Sequence, residues 1–194
     1  MELQHINVKL FLDPATEADL EPLIPIFHHW IQDRLCPELL LDIADYRHVH
    51  AGPGVVLIGH EANYSVDNTD DRLGVRYNRK AVLNGNNQSR LAQAAEAALV
   101  ACQRLEADPR LGGRLRFNGE EIEIFVNDRL IAPNREATRE AVGPELERFC
   151  RELFPDGEVL LSHSEDSRRL FAVSVKVSRR YSVAELLANL SKVS

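Results

Sequence analysis

Three histidines and a glutamate between residues 46 and 61 have the types and spacing of a metal site. If the chain is extended from Tyr46 to His50, the side chains of Tyr46, His48 and His50 point to one side, because side chains alternate along a strand. Two histidines separated by one residue, with a third histidine or a carboxylate nearby, can supply three ligands around an open coordination position. We predict that His48, His50 and His60 bind a divalent transition metal. Such a site would activate a water for hydrolysis or hold iron for oxidation chemistry. The alternative is that His48 and His50 lie on the solvent-exposed end of a strand while His60 forms a hydrogen bond within the sheet.

A second group of polar side chains, on the segment Leu73–Lys80, is suited to binding an anion. Arg76, Asn78 and Lys80 share one face if this segment is a strand. Arginine binds a carboxylate or phosphate through two parallel hydrogen bonds, and lysine adds a compact positive charge. The alternative is an edge strand whose charges discourage aggregation.

Together these residues predict an enzyme or small-molecule binder that acts on an anionic small molecule. His60 or Glu61 is the predicted catalytic group, which would transfer a proton. The predicted substrate-binding residues are Tyr46, Tyr64, Arg76 and Lys80. The alternative is a homo-oligomeric interaction protein without catalytic activity, in which a homodimer forms by extension of the sheet. A concave, partly apolar pocket would favour a ligand site, and a broad patch would favour an interface.

The segment that carries these residues has the alternation of strands. Val55–Val66 and Leu73–Lys80 alternate between apolar and polar side chains, and the polar loop Asp67–Arg72 joins them, which predicts a hairpin with a long loop. Leu39–Ala44 is apolar enough for a buried strand but is short and therefore ambiguous. At the amino terminus Ile6–Leu12 alternates in the same way and predicts a further strand.

The rest of the chain is predicted to alternate between helices and hairpins. The predicted helices are Pro25–Leu35, Gln88–Glu106 with a cap at Asn86 or Asn87, residues 134–154 with a break or kink at Gly143-Pro144, and a short helix opened by a capping box at Ser182–Glu185. The predicted hairpins have a turn at Asn118-Gly119 and the paired strands Val159–His163 and Leu170–Val177.

This order of elements predicts a single globular domain over residues 1–194 with a two-layer α+β sandwich fold. Hairpins require antiparallel neighbours, and amphipathic helices need an apolar face to cover. The sheet is therefore expected to be mainly antiparallel, with the helices packed on one face, and a mixed sheet is the nearest alternative.

Composition excludes several classes of protein. The net charge of −7 and the pI of about 5.5 argue against general binding to nucleic acid or anionic membranes, although a local basic patch could still bind a small anion. We expect no membrane-spanning segment, since no apolar run approaches the length of about 20 residues that one needs. Three widely spaced cysteines predict no disulfide framework, and we expect a reduced cytoplasmic protein. The sequence contains no dinucleotide-binding glycine motif or P-loop.

Overall fold

One antiparallel sheet of eight strands organises the protein. The computed structural model describes residues 1–14, 16 and 19–192. The strands are β1 (Ile6–Leu12), β2 (Leu40–Tyr46), β3 (Gly54–Gly59), β4 (Ala62–Asp67), β5 (Gly74–Arg79), β6 (Phe117–Val126), β7 (Val159–His163) and β8 (Phe171–Val177). Their order across the sheet is β2-β3-β4-β5-β1-β6-β8-β7. The predicted two-layer α+β sandwich is confirmed, and the sheet is antiparallel rather than mixed.

Four helices pack against the sheet, and their ends follow the sequence signals closely. The helices are α1 (Leu23–Gln32), α2 (Asn87–Ala107), α3 (Glu136–Leu153) and α4 (Val183–Leu190). At the start of α2 the Asn86 side chain accepts a hydrogen bond from the Ser89 amide, and Ser182 and Glu185 form the predicted capping box of α4. These caps satisfy backbone N–H groups that have no partner inside a helix.

The two faces of the sheet differ in character. On the face toward the helices, which we call the inner face, Val8 lies opposite Tyr77 on one side and Ile124 on the other. On the opposite face, which we call the outer face, Lys9 lies opposite Arg76 and Glu123. The next residues outward in this row are serines: Ser65 on β4 and Ser174 on β8. A polar row therefore crosses five adjacent strands on the outer face.

The predicted strand Val55–Val66 is in fact two strands. His60 and Glu61 form the turn between β3 and β4, where the His60 amide donates to the Leu39 carbonyl at 2.8 Å. The buried apolar residues are Val55 and Leu57 before the turn and Ala62, Tyr64 and Val66 after it, so the alternation changes from odd to even positions and does not fit one long strand.

The chain from Tyr46 to His50 is not extended, so the condition for these side chains to share one side is not met. Strand β2 ends at Tyr46, and a hydrogen bond of 2.9 Å from the Val49 amide to the Tyr46 carbonyl closes a turn directly after it. His48 and His50 are therefore outside the sheet and do not share a strand face with Tyr46.

Two predicted interruptions are absent. The pair Asn118-Gly119 makes a bulge within β6, because Gly119 has a φ of +46° and its carbonyl accepts from the Tyr181 amide at 3.0 Å. Helix α3 runs through Gly143-Pro144 without a break. Its buried residues on both sides, Val142 and Leu146, hold it against the core.

Candidate functional site

A cleft of about 530 Å³ opens on the outer face of the sheet, above β1, β5, β6 and β8 and beside the loops at their ends. Its lining includes Glu123 and Phe125 on β6 and Ser174 on β8. The lining contains five arginines, Arg72, Arg76, Arg129, Arg168 and Arg169, and two acidic residues, Asp70 and Glu123. The cleft is therefore locally basic in an acidic chain.

A buried ion pair lies on the outer face next to the cleft. Lys9 Nζ is 2.6 Å from Asp67 Oδ1, and the two side chains are 2% and 3% exposed. Asp67 also accepts hydrogen bonds from the amide and the hydroxyl of Thr69. Burial lowers the pKa of Lys9 from its usual value, although the Asp67 carboxylate opposes this. The charge of Lys9 is therefore already engaged within the protein.

Three of the five arginines are engaged as well. Arg72 forms two hydrogen bonds with the Glu121 carboxylate, at 2.9 and 2.7 Å, and its guanidinium lies 3.7 Å from the centre of the Phe11 ring. Arg168 is paired with Asp166 and Arg169 with Asp70. These contacts position the side chains and neutralise much of their charge.

Arg76 and Arg129 differ from the others because neither has a close carboxylate. The Arg76 guanidinium lies 4.7 Å from the centre of the Phe125 ring, and its nearest carboxylate oxygen, on Asp67, is 3.9 Å away. Its Nε is buried and has no hydrogen-bond partner among the described residues. Arg129 donates to the backbone carbonyl of Arg168 at 2.8 Å. Both guanidinium groups keep donors available for a ligand.

Glu123 is the one cleft carboxylate without a hydrogen bond in the described part of the chain. Burial raises its pKa, while the positive charges of Lys9 and Arg72 partly offset that rise. Both cations are paired with other carboxylates, Lys9 with Asp67 and Arg72 with Glu121. Burial therefore disfavours the charged form of Glu123 in the folded protein.

Another buried carboxylate, that of Glu38, lies on the inner face and has a different environment. Glu38 accepts a hydrogen bond of 2.8 Å from each of two tyrosine hydroxyls, those of Tyr64 and Tyr77. Gln93 donates to the Tyr77 oxygen at 3.0 Å, and Arg79 is 3.9 Å from the Glu38 carboxylate. Burial raises the pKa of Tyr77 to about 12, so this hydroxyl remains a donor.

The predicted substrate-binding residues are spread over the molecule. Arg76 lines the cleft, and Lys80 lines a neighbouring groove that also contains Arg129. Tyr64 is buried on the inner face, in the Glu38 network. Tyr46 is 42% exposed at the end of β2. The structure does not bring these four side chains to one pocket.

The predicted proton-transfer pair lies in the β3–β4 turn, outside the lining of the cleft. His60 Nδ1 is 3.4 Å from Glu61 Oε1, and the His60 side chain is 71% exposed. The amide of Leu39 donates to Glu61 and lowers the pKa of its carboxyl, which makes Glu61 a weaker base. Their catalytic role stays a prediction.

The three predicted metal ligands are likewise on exposed turns. His50 is 3.8 Å from the Asp71 carboxylate, and the ring of His48 stacks loosely with that of Tyr46 at 6.5 Å. Among residues 1–14, 16 and 19–192, no group of three or more His, Cys, Asp or Glu side chains is placed to hold a metal ion. The structure gives the metal hypothesis no support.

Sequence reasoning missed most of the residues that line the cleft, among them Glu123, Phe125, Arg129, Arg168 and Arg169. One signal was present, since Glu121, Glu123 and Phe125 alternate with the apolar residues of β6 and so must lie on the face away from the core. The alternation does not show which strands lie on either side of β6 in the sheet.

Comparison with known proteins adds no functional assignment. No known protein family matches the chain, and a search of curated proteins finds no significant relative. None of the helices within the described residues is both long enough and apolar enough to cross a membrane.

Proposed function

We propose that the protein binds a small anionic molecule in the cleft on the outer face of the sheet. The observation that carries this proposal is the charge of the lining, where five arginines accompany two acidic residues in a chain with a net charge of −7. A local charge opposite to that of the whole molecule attracts an anion to one place on the surface.

The two available arginines specify the chemistry of the anion. A guanidinium presents paired N–H donors that match the oxygens of a carboxylate or a phosphate. The Phe125 ring supports the guanidinium of Arg76 from one side, which orders the donors before a ligand arrives. The partly apolar floor and the converging polar groups are typical of small-molecule sites rather than flat interfaces.

We restrict the proposal to binding and name no reaction. A catalytic base must come within hydrogen-bonding distance of the proton that it removes. His60 and Glu61 are not among the residues that line the cleft, so a bound anion would not meet them there.

Titration calorimetry with the Arg76→Gln variant tests the proposal. Inorganic phosphate, succinate, malate and aspartate serve as probes, and the matched control is Arg148→Gln, which removes an exposed arginine paired with Glu152 on α3. We expect saturable binding of at least one probe, weakened about tenfold or more by Arg76→Gln because a charge-assisted hydrogen bond is lost. The control should bind as the unchanged protein does. Equal affinities in all three proteins, or no binding at all, would rule the proposal out.

A second candidate function, self-association into a homodimer, is favoured by the free edge of the sheet at β2. Leu39 and Leu41 are 62% and 54% exposed beside this edge, whose backbone has no neighbouring strand among the described residues. A second copy could extend the sheet there. Sedimentation equilibrium of the protein and its Leu41→Lys variant tests this. A dimer that the substitution dissociates supports it, and a monomer at all concentrations excludes it.

A further inference from the structure

Contacts within the protein account for most of the charges near the cleft but leave three groups available. Lys9, Arg72, Arg168 and Arg169 each have a carboxylate within a short contact. The available groups are Arg76, Arg129 and Glu123. Two of these groups are donors with positive charge, and the third is an acceptor with negative charge.

We propose that the ligand carries a hydrogen-bond donor, an ammonium or hydroxyl group, beside two anionic groups, and that Glu123 binds this donor while Arg76 and Arg129 bind the anions. This inference rests on the proposed function and adds the chemical class of the ligand. An amino or hydroxy dicarboxylic acid is the smallest molecule of that class.

The position of Glu123 is the first reason. It lies in the polar row of the outer face, opposite Lys9 on β1 and Ser174 on β8, and it lines the same cleft as Arg76. An anion bound by Arg76 therefore shares the cleft with this carboxylate. A ligand without a donor would bring negative charge toward Glu123 and offer it nothing in return.

The environment of Glu123 is the second reason. The charged groups that face it are Lys9 from β1, Arg72 from the loop before β5, Asp70 from the turn after β4 and Arg169 from the β7–β8 loop. The three cations have closer carboxylate partners of their own. No described residue donates a hydrogen bond to Glu123, whereas Glu38 on the inner face receives two. A donor on the ligand would complete the site.

Three acids that share a four-carbon dicarboxylate skeleton test the inference. Succinate has no donor on its central carbons, malate adds a hydroxyl group and aspartate adds an ammonium group. A site built to hydrogen-bond a group of its ligand discriminates strongly against the analogue that lacks it. We expect calorimetry to show aspartate or malate bound about tenfold or more tightly than succinate.

The variant Glu123→Gln identifies the group responsible. It keeps the size of the side chain and removes the charge, so the preference for aspartate should fall to about twofold or less while succinate binds more tightly. The amide oxygen of glutamine still accepts from a hydroxyl group, so Glu123→Met, which has no acceptor there, tests a preference for malate. The control Glu120→Gln removes an exposed charge from the same strand and should keep the preference. Thermal unfolding of each variant at Glu123 and Glu120 establishes that it is folded.

The outcomes separate this inference from the function on which it rests. Binding that depends on Arg76 but is equal for all three acids overturns the inference and leaves anion binding standing. A preference for aspartate that survives Glu123→Gln, or a preference for malate that survives Glu123→Met, also overturns it. The absence of saturable binding for all three acids and for phosphate overturns both proposals.

Discussion

Glu38 and Glu123, on opposite faces of the sheet, show how a structural charge differs from one that is available to a ligand. Each oxygen of Glu38 accepts a hydrogen bond of 2.8 Å from a tyrosine hydroxyl, and helices cover that face. Glu123 has no such donor among the described residues, and it lines an open cleft. The first arrangement satisfies the charge and contributes to the fold. The second leaves a cost that a ligand would relieve.

The cations of the outer face divide in the same way. Lys9 is held by Asp67 at 2.6 Å and is almost completely buried. Arg76, its neighbour in the polar row, has a buried Nε without a partner in the described ranges. Burial alone therefore does not identify a site. What distinguishes Arg76 and Glu123 is the hydrogen bonds that the protein does not supply.

The largest effect on stability is expected when the ion pair between Lys9 and Asp67 is broken. Lys9→Met leaves the Asp67 carboxylate buried without its cation, which should lower the free energy of unfolding by about 3–5 kcal/mol. Urea unfolding measures the loss. The double variant Lys9→Met/Asp67→Asn removes both charges and keeps an acceptor for the Thr69 donors, so it should regain more than half of that loss.

A loss of less than about 1 kcal/mol for Lys9→Met would contradict this interpretation, since it would mean that the pair is no more than a surface contact. A double variant as unstable as the single one would show instead that packing of the lysine side chain is what matters.

A smaller effect is expected when Glu38 loses one of its two donors. Tyr64→Phe removes a hydrogen bond to a buried carboxylate and should cost about 1.5–3 kcal/mol, the range for hydrogen bonds to charged groups. The control Tyr181→Phe removes a contact in which the tyrosine oxygen accepts from the Asp156 amide, and it should cost about 0.5–1.5 kcal/mol.

The affinity of the Tyr64→Phe variant for the anion tests independently whether the two faces of the sheet act separately. Tyr64→Phe should leave the affinity of the outer cleft for its anion unchanged, because the tyrosine lies on the inner face. Weaker binding in step with the loss of stability would contradict the separation of the two faces.

Sequence patterns predicted the parts of this fold that depend on neighbours along the chain. The stripe and cap of α2, the capping box of α4 and the β7–β8 hairpin are all local, and all are confirmed. The placement of β1 between β5 and β6 is not local, because it joins segments distant in the sequence. Alternation shows that Lys9 and Glu123 face away from the core, but only this pairing shows that they are neighbours.

Less of the candidate site than of the fold could be predicted from the sequence. Arg76 is the one predicted site residue that lines the cleft, since its strand and its face were both identified correctly. Histidine is a common metal ligand and proton-transfer group, which is why these residues were predicted to form a site. The spacing of His48 and His50 places both side chains on one side only if the chain is extended. Strand β2 ends at Tyr46, and that condition fails.

The smallest expected effect is also the one with an unusual sign, because removing the charge of Glu123 should stabilise the protein. The pKa of Glu123 is raised in the folded state, so the folded protein holds this proton more tightly than the unfolded chain does. The contribution of Glu123 to stability is therefore complete at a pH below its unfolded pKa, and it is lost as the pH rises through the higher folded value. Glutamine does not titrate, and Glu123→Gln avoids that loss.

At pH 7.5 the Glu123→Gln variant should therefore be more stable than the unchanged protein by about 0.5–1 kcal/mol, a modest figure since solvent screens a partly exposed charge. At about pH 3, below the usual glutamate pKa of about 4.3, the side chain is mostly protonated in both states, and the two proteins should unfold at nearly the same urea concentration. The matched control is Glu120→Gln, which removes an exposed charge from the same strand. A destabilised Glu123→Gln variant at pH 7.5 would mean that the charge serves the fold, as that of Glu38 does. A gain in stability together with a loss of ligand discrimination would instead place Glu123 among the charges that a protein keeps for binding at a cost to stability.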